Sequence, residues 1–193
     1  MTKIAIKNMV CRHCMEAVLK VSRELELDAT AVKLGELQVT QKEEDIDFET
    51  LRIELQKNGF DLLVDRELQI VEQIKTAVIE LIHHSDSLLE VKNSVFLAEK
   101  LGLSYTYLSK LFSSHVELTI EKYIILQKIE RVKELLSYNE KNLSEIAFDL
   151  GYSSVQHLSN QFKAVTGMPV SAYKKLETKP RLPLNELQDK AVS

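Results

Sequence analysis

The hydrophobic positions change period along the chain, and each change marks an element. Residues 3–8 alternate polar and apolar, with Ile4 and Ile6 on one face, which predicts a half-buried strand. From Cys11 to Leu25 the period lengthens. Met15, Val18, Leu19 and Leu25 recur at helical spacing, with Glu16, Lys20 and Arg23 outside. Alternation returns over Ala29–Leu34, breaks at Gly35 and resumes over Glu36–Thr40. Asp47 is placed to cap a helix carrying Phe48, Leu51 and Leu55, and Asn58-Gly59 closes it. Phe60–Val64 reads as a last strand. From Glu67 onward the strand period is gone. Apolar residues at 68, 71, 74, 78 and 81 predict an amphipathic helix of about four turns. Thr119–Ser137 predicts a single long helix with a broad apolar face.

Leu143–Lys175 carries the punctuation of a helix-turn-helix. Ser144 is an N-cap candidate, and Ile146, Ala147 and Leu150 form an apolar stripe. Gly151 ends the first helix, because a residue without Cβ accepts the left-handed conformation of a C-terminal cap. Ser153 or Ser154 caps a second helix that turns Leu158 and Phe162 inward. Ser154, Gln156, His157, Asn160 and Gln161 are left for an outward face of the kind that reads base edges.

The unit occurs twice. Leu97–Gly102 parallels Ile146–Gly151 at an offset of 49 residues, and Leu108–Phe112 parallels Leu158–Phe162 at an offset of 50, so the second turn holds one extra residue. The first reading helix is then Ser104–Phe112. Tyr105, Thr106, Tyr107 and Lys110 are its outward candidates, and Tyr105 could also turn inward.

The predicted fold class follows. An α+β ferredoxin-like βαββαβ domain over residues 1–65 precedes an all-α domain over 66–176, whose two helix-turn-helix units are joined by a long linker helix. Asp65–Glu67 is a short charged joint without a Gly, Pro or Ser run, which predicts close coupling of the two. Residues 177–193 hold two of the three prolines and no period, and are expected as a flexible or loosely docked tail. His83 and His84 end the Glu67 helix. Adjacent histidines there suit the helix dipole better than a metal, because they do not face the same way.

Composition narrows the function classes. Hydrophobic content of 45% and charged content of 28% are those of a soluble globular protein. No apolar run approaches membrane-spanning length, and the N-terminus lacks a signal-peptide pattern, so a cytoplasmic location without membrane is expected. Two cysteines three apart belong to a reducing compartment and to chemistry or metal rather than to architecture. No phosphate loop, dinucleotide turn, catalytic triad or carboxylate pair is recognisable, so an enzyme is not expected.

Two resemblances sharpen this reading. IAFDLGY (146–152), LSNQFK (158–163), Gly167, Pro169 and Tyr173 resemble the C-terminal signature of the AraC/XylS transcription regulators, and the paired layout resembles that family from residue 67 to about 176. The resemblance implies a bacterial, sequence-specific regulator. Its two recognition helices would enter successive major-groove turns of double-stranded DNA, roughly 34 Å apart. It adds Lys163 to the DNA-facing candidates. The chain departs from the family with Glu117 in place of a common Gly, and with Gln127 and Asn160 where Arg is common.

Met9-Val10-Cys11-Arg12-His13-Cys14 resembles the MxCxxC loop of heavy-metal-associated domains, a likeness covering residues 1 to about 65. It implies Cu(I) or another soft metal at Cys11 and Cys14, since thiolates suit Cu(I) and a helix start favours the thiolate. Asn8 stands where that family commonly has Gly, and His13 is either a third ligand or solvated. A redox pair and silent thiols remain alternatives. The N-terminal domain is expected as a Cu(I) or redox sensor, or as an oligomerisation module whose open edge strand could pair into a homodimer. The competing whole-protein reading is a cytoplasmic copper chaperone whose helical half docks a partner.

Charge weighs against DNA. The first 66 residues hold 10 Lys plus Arg against 13 Asp plus Glu, and the remainder 15 against 16. Lys110, Lys163, Lys174 and Lys175 nevertheless lie in or just after the reading segments. Phosphate anchoring by these lysines predicts DNA affinity that falls steeply between about 50 and 200 mM salt, and a flat titration would refute it.

Overall fold

The alternating strand at the N-terminus becomes an inner strand of a sheet. The computed structural model describes residues 1–84, 92–138, 140–185 and 187, and the chain divides into two compact units, Met1–Thr76 and Ala77–Ser193. In the first, β1 (Thr2–Lys7) pairs antiparallel with β3 (Glu36–Val39) on one side and β4 (Asp61–Leu62) on the other. With β2 (Ala29–Lys33) the sheet order among the described residues is β2-β3-β1-β4. Helices α1 (Arg12–Glu24) and α2 (Phe48–Lys57) interleave with the strands in the predicted βαββαβ order. One apolar cluster joins them: Ile4 and Ile6 from β1, Leu37 and Val39 from β3, Val18 and Val21 from α1, and Leu51 and Leu55 from α2.

Local chemistry sets the boundaries. Asp47 Oδ1 accepts the backbone N–H groups of Glu49 and Thr50 and caps α2 as expected. The last strand is shorter than the predicted Phe60–Val64. The Gln69 side chain takes the Leu63 carbonyl at 2.7 Å, and Asp65 Oδ1 accepts the N–H groups of Glu67 and Leu68, so the chain leaves the sheet to start α3 (Arg66–Ile79). Asn8 adopts φ 73°, a left-handed conformation that asparagine tolerates better than most residues. Its backbone N–H donates to Glu72 at 3.0 Å and its amide to the Gly59 carbonyl at 3.1 Å. These bonds account for Asn in a position where Gly would otherwise be needed.

The second unit is helical. The end of the Glu67 helix is not α-helical as predicted but a π turn, Glu80–His84, which coincides with burial of three consecutive side chains, Leu81, Ile82 and His83. Helices α4 (Asn93–Leu101) and α5 (Tyr105–Val116) form the first hairpin. Helices α7 (Leu143–Asp149) and α8 (Val155–Thr166) form the second, followed by α9 (Val170–Lys174). The long α6 (Ile120–Tyr138) packs against α5, α7 and α8. The N-cap of α7 is Asn142 rather than the expected Ser144. Its side chain accepts the N–H groups of Ser144 and Glu145, and Glu145 returns a bond to the Asn142 N–H in a full capping box.

The repeat runs further in three dimensions than in the motif. Phe112 and Tyr123 meet at 5.5 Å between ring centroids, and Phe162 and Tyr173, 50 residues on in each case, meet at 5.4 Å. Glu117 and Gly167, also 50 apart, both end their helices in the left-handed region, with φ 58° and 76°. The stretch expected as a tail lies partly outside the described residues. Its described part is held on α6, where Leu182 N–H reaches Glu130 at 3.2 Å and the Leu184 carbonyl accepts from Gln127 at 2.9 Å.

No helix among the described residues is long and apolar enough to cross a membrane. Glu117→Gly should raise stability by about 0.5–1 kcal/mol in urea unfolding, because relief of the left-handed side chain exceeds the added chain entropy. Gly167→Ala should lower it by about 1 kcal/mol.

Candidate nucleic-acid interface

Helices α5 and α8 begin alike. Ser104 Oγ accepts the Tyr107 N–H at 3.3 Å, and Ser154 Oγ accepts the His157 N–H at 3.1 Å. Each helix buries one stripe, Leu108, Leu111 and Phe112 in α5 and Leu158 and Phe162 in α8. The opposite faces are polar. Thr106, Tyr107 and Lys110 are exposed on α5, as are Gln156, His157, Asn160 and Lys163 on α8, with the capping Ser154 at the helix start. On α8 the Gln156 amide donates to Asn160 Oδ1 at 2.8 Å, which sets two amides side by side one turn apart. Amides on a helix face can pair with the N6 and N7 edge of adenine.

Two of the sequence candidates are engaged inside the fold. Tyr105 is half-buried and its hydroxyl donates to Glu121 at the start of α6. Burial, and then the neighbouring Glu121 carboxylate, push the phenol well above its ordinary range, while the same bond draws Glu121 down. Gln161 is also half-buried, and its Oε1 accepts the Tyr152 hydroxyl at 2.7 Å. Burial raises the Tyr152 phenol, and Lys128, itself drawn down by burial, lies over the Tyr152 ring at 5.3 Å. Ser153 was absent from the candidates. It is the extra residue of the second turn, exposed, and within 3.1 Å of His157 Nδ1. The shift in offset from 49 to 50 is the sequence signal that marks it. The His157 ring also meets Tyr152 edge-on at 5.4 Å, so its orientation is set from two sides.

Comparison with known proteins agrees with this geometry. Residues 97–176 match the family model described as a helix-turn-helix domain. The probable transcriptional regulator LumQ of Photobacterium leiognathi is 26% identical over 151 residues, covering 76% of this chain and 60% of that protein. The Msm operon regulatory protein of Streptococcus mutans serotype c is 33% identical over 79 residues, 41% of this chain and 28% of that protein. The melibiose operon regulatory protein of Escherichia coli K12 is 31% identical over 85 residues, 44% of this chain and 28% of that protein. The chain therefore spans at most 60% of the length of these relatives. Residues 97–176 are a helix-turn-helix domain.

Within this domain the three departures from the family pattern acquire different meanings. Asn160 is exposed and presents an amide in place of a cation. Glu117 occupies a backbone conformation suited to Gly, so its effect is on stability. Gln127 is fully buried, and its change from Arg belongs to the interior of the domain.

Cys11 and Cys14 lie at the start of α1, both half-buried, with sulfurs 3.3 Å apart. Met9 is buried in the core below them. Burial pushes the Cys14 thiol up, outweighing a lowering hydrogen bond from the Val10 backbone, so the helix start does not favour the thiolate there as expected. His13 is exposed, and among the described residues no three His, Cys, Asp or Glu side chains gather as a metal-holding group.

Exposed candidates and internal ties should separate by stability. Asn160→Ala should change unfolding free energy by no more than about 0.5 kcal/mol. Gln161→Ala strands the buried Tyr152 hydroxyl and should cost about 1–2 kcal/mol in urea denaturation.

Proposed function

We propose that this protein is a sequence-specific DNA-binding transcription regulator, with α5 and α8 each placed in the major groove of one double-stranded operator. The observation that carries this reading is the structural repeat: equivalent serine caps, equivalent aromatic pairs and equivalent outward polar faces, joined by one helix. A bare helical hairpin needs neither the second copy nor the polar faces. Relatives described as regulatory proteins lend it support. Thr106, Tyr107, Lys110, Ser154, Gln156, His157, Asn160 and Lys163 are the proposed contacts, with Tyr105 and Gln161 bracing them from behind. Phosphate anchoring falls to Lys110, Lys163, Lys174 and Lys175, all exposed.

The first unit is proposed as a ferredoxin-like sensor. The βαββαβ order and the strand order β2-β3-β1-β4 support that fold assignment. The donor set of Cys11 and Cys14 fits Cu(I), a soft ion that accepts two sulfur ligands. Cys11 and Cys14 would hold the ion as thiolates, giving up their protons as it binds. Asn8, just before this loop, is bonded to Glu72 on α3, a helix that continues to Ile79, so a change at the loop has a covalent route onward. The same cysteine pair favours a second reading, a copper-handling protein that does not select DNA.

Selection of genomic fragments by the reduced protein, with and without stoichiometric Cu(I), tests both. Enrichment of one motif with two half-sites about one helical turn apart is expected, and a shift in affinity with Cu(I) would identify the sensor. No enrichment in either state, with copper retained through gel filtration, would overturn the regulator in favour of copper handling.

A further inference from the structure

The family match stops at residue 176, yet the chain beyond it is built into the helical unit. The Tyr173 hydroxyl donates to the Pro180 carbonyl at 3.1 Å, and Arg181 lies 3.4 Å from Glu134. Leu182 N–H donates to Glu130, the Leu184 carbonyl accepts from Gln127, and Leu187 is buried. These residues cover a polar stripe on α6. Gln127 is 0% exposed and Glu130 3%, so each needs partners where water cannot supply them.

Gln127 uses its whole amide. Oε1 lies 3.0 Å from His83 Nε2, and the two Nε2 protons go to Tyr123 Oη and to the Leu184 carbonyl, both at 2.9 Å. Glu130 is shared between Lys133 and the Leu182 N–H. The Glu134 carboxyl is held well below the usual carboxylate range by His83 first, then by Arg131 and Arg181. An Arg at 127 would place a cation in this closed space, so the Gln and the segment that meets it form a matched set.

Helix α6 is also the element against which α5, α7 and α8 pack. We infer that residues 179–185, with Leu187, are a strap that fixes α6, and through it the half-site separation at which α5 and α8 engage DNA. Gln127 and Glu130 are then positioning residues. The inference rests on the DNA-binding reading and adds a determinant of operator spacing to it.

The test compares the full chain, a chain ending at Thr178, and Leu182→Pro, which deletes the N–H given to Glu130 without altering α6. The ligands are duplexes built on the enriched motif, with the half-sites at the selected separation, two base pairs closer or two farther, and one duplex with a single half-site. Both variants should bind the selected separation about tenfold more weakly while binding the single half-site as the full chain does, so that the preference for one separation flattens. An unchanged separation profile would overturn the strap, as would an equal loss on every duplex, which would mean the segment only stabilises the fold. If circular dichroism shows the shortened chain unfolded, Leu182→Pro decides the matter. If the full chain selects no motif, the DNA-binding reading falls and takes the strap with it.

Discussion

Helix α6 has to bury an amide, a carboxylate and an ammonium along the face that also holds the helical unit together. Gln127, Glu130 and Lys133 are all under one-tenth exposed. An unpaired group of this kind costs more than a typical hydrogen bond returns, so the surrounding chain is constrained to supply partners. His83 comes from the π turn, Tyr123 from the helix itself, and Leu182 and Leu184 from the C-terminal segment. Segments distant in sequence are thereby tied to one helix. The apolar stripe of α6, with Ile120, Ile124, Val132 and Leu136 buried, provides attraction without direction, and the polar groups add the direction.

The two hairpins show how one local solution is used twice with different residues. Helices α5 and α8 each start at a serine cap and end on a left-handed residue, and each sends a Phe against a Tyr 11 positions later. The first copy ends on Glu117 and the second on Gly167, so the backbone shape is retained where the favourable residue is not. The surrounding packing, with Leu118 and Ile120 buried just beyond Glu117, holds the first copy in that shape.

The outward faces divide into side chains free to meet a ligand and side chains that brace the frame. Tyr105 and Gln161 lie in α5 and α8, yet the first is bonded to Glu121 and the second to Tyr152. Their neighbours Thr106, Tyr107, Asn160 and Gln156 carry the exposed polar surface. The chain's overall negative charge of −4 is compatible with the proposed DNA contact because phosphate binding depends on where cations stand, and exposed lysines stand on or beside both helices.

Much of this was legible in the sequence. Period-two and period-3.6 patterns located the sheet and the helices. Gly151 and Asp47 marked a turn and a cap, and the doubled motif with its offset change exposed the repeat and one extra residue in the second turn. These are local properties, set by backbone conformation and by which side of one element is apolar. What the sequence left undecided depends on which of several partners a polar group takes. The early end of β4 follows from Gln69 reaching Leu63, and the cap at Asn142 from its pairing with Glu145 in preference to Ser144. The inward commitment of Tyr105 and Gln161, the burial that lifts the Cys14 thiol, and the docking of Leu182 and Leu184 on α6 are decided at longer range. A polar residue on a helix can face water or satisfy a buried neighbour with equal local propensity. Only the tertiary arrangement, by deciding which groups lose their water, selects between them.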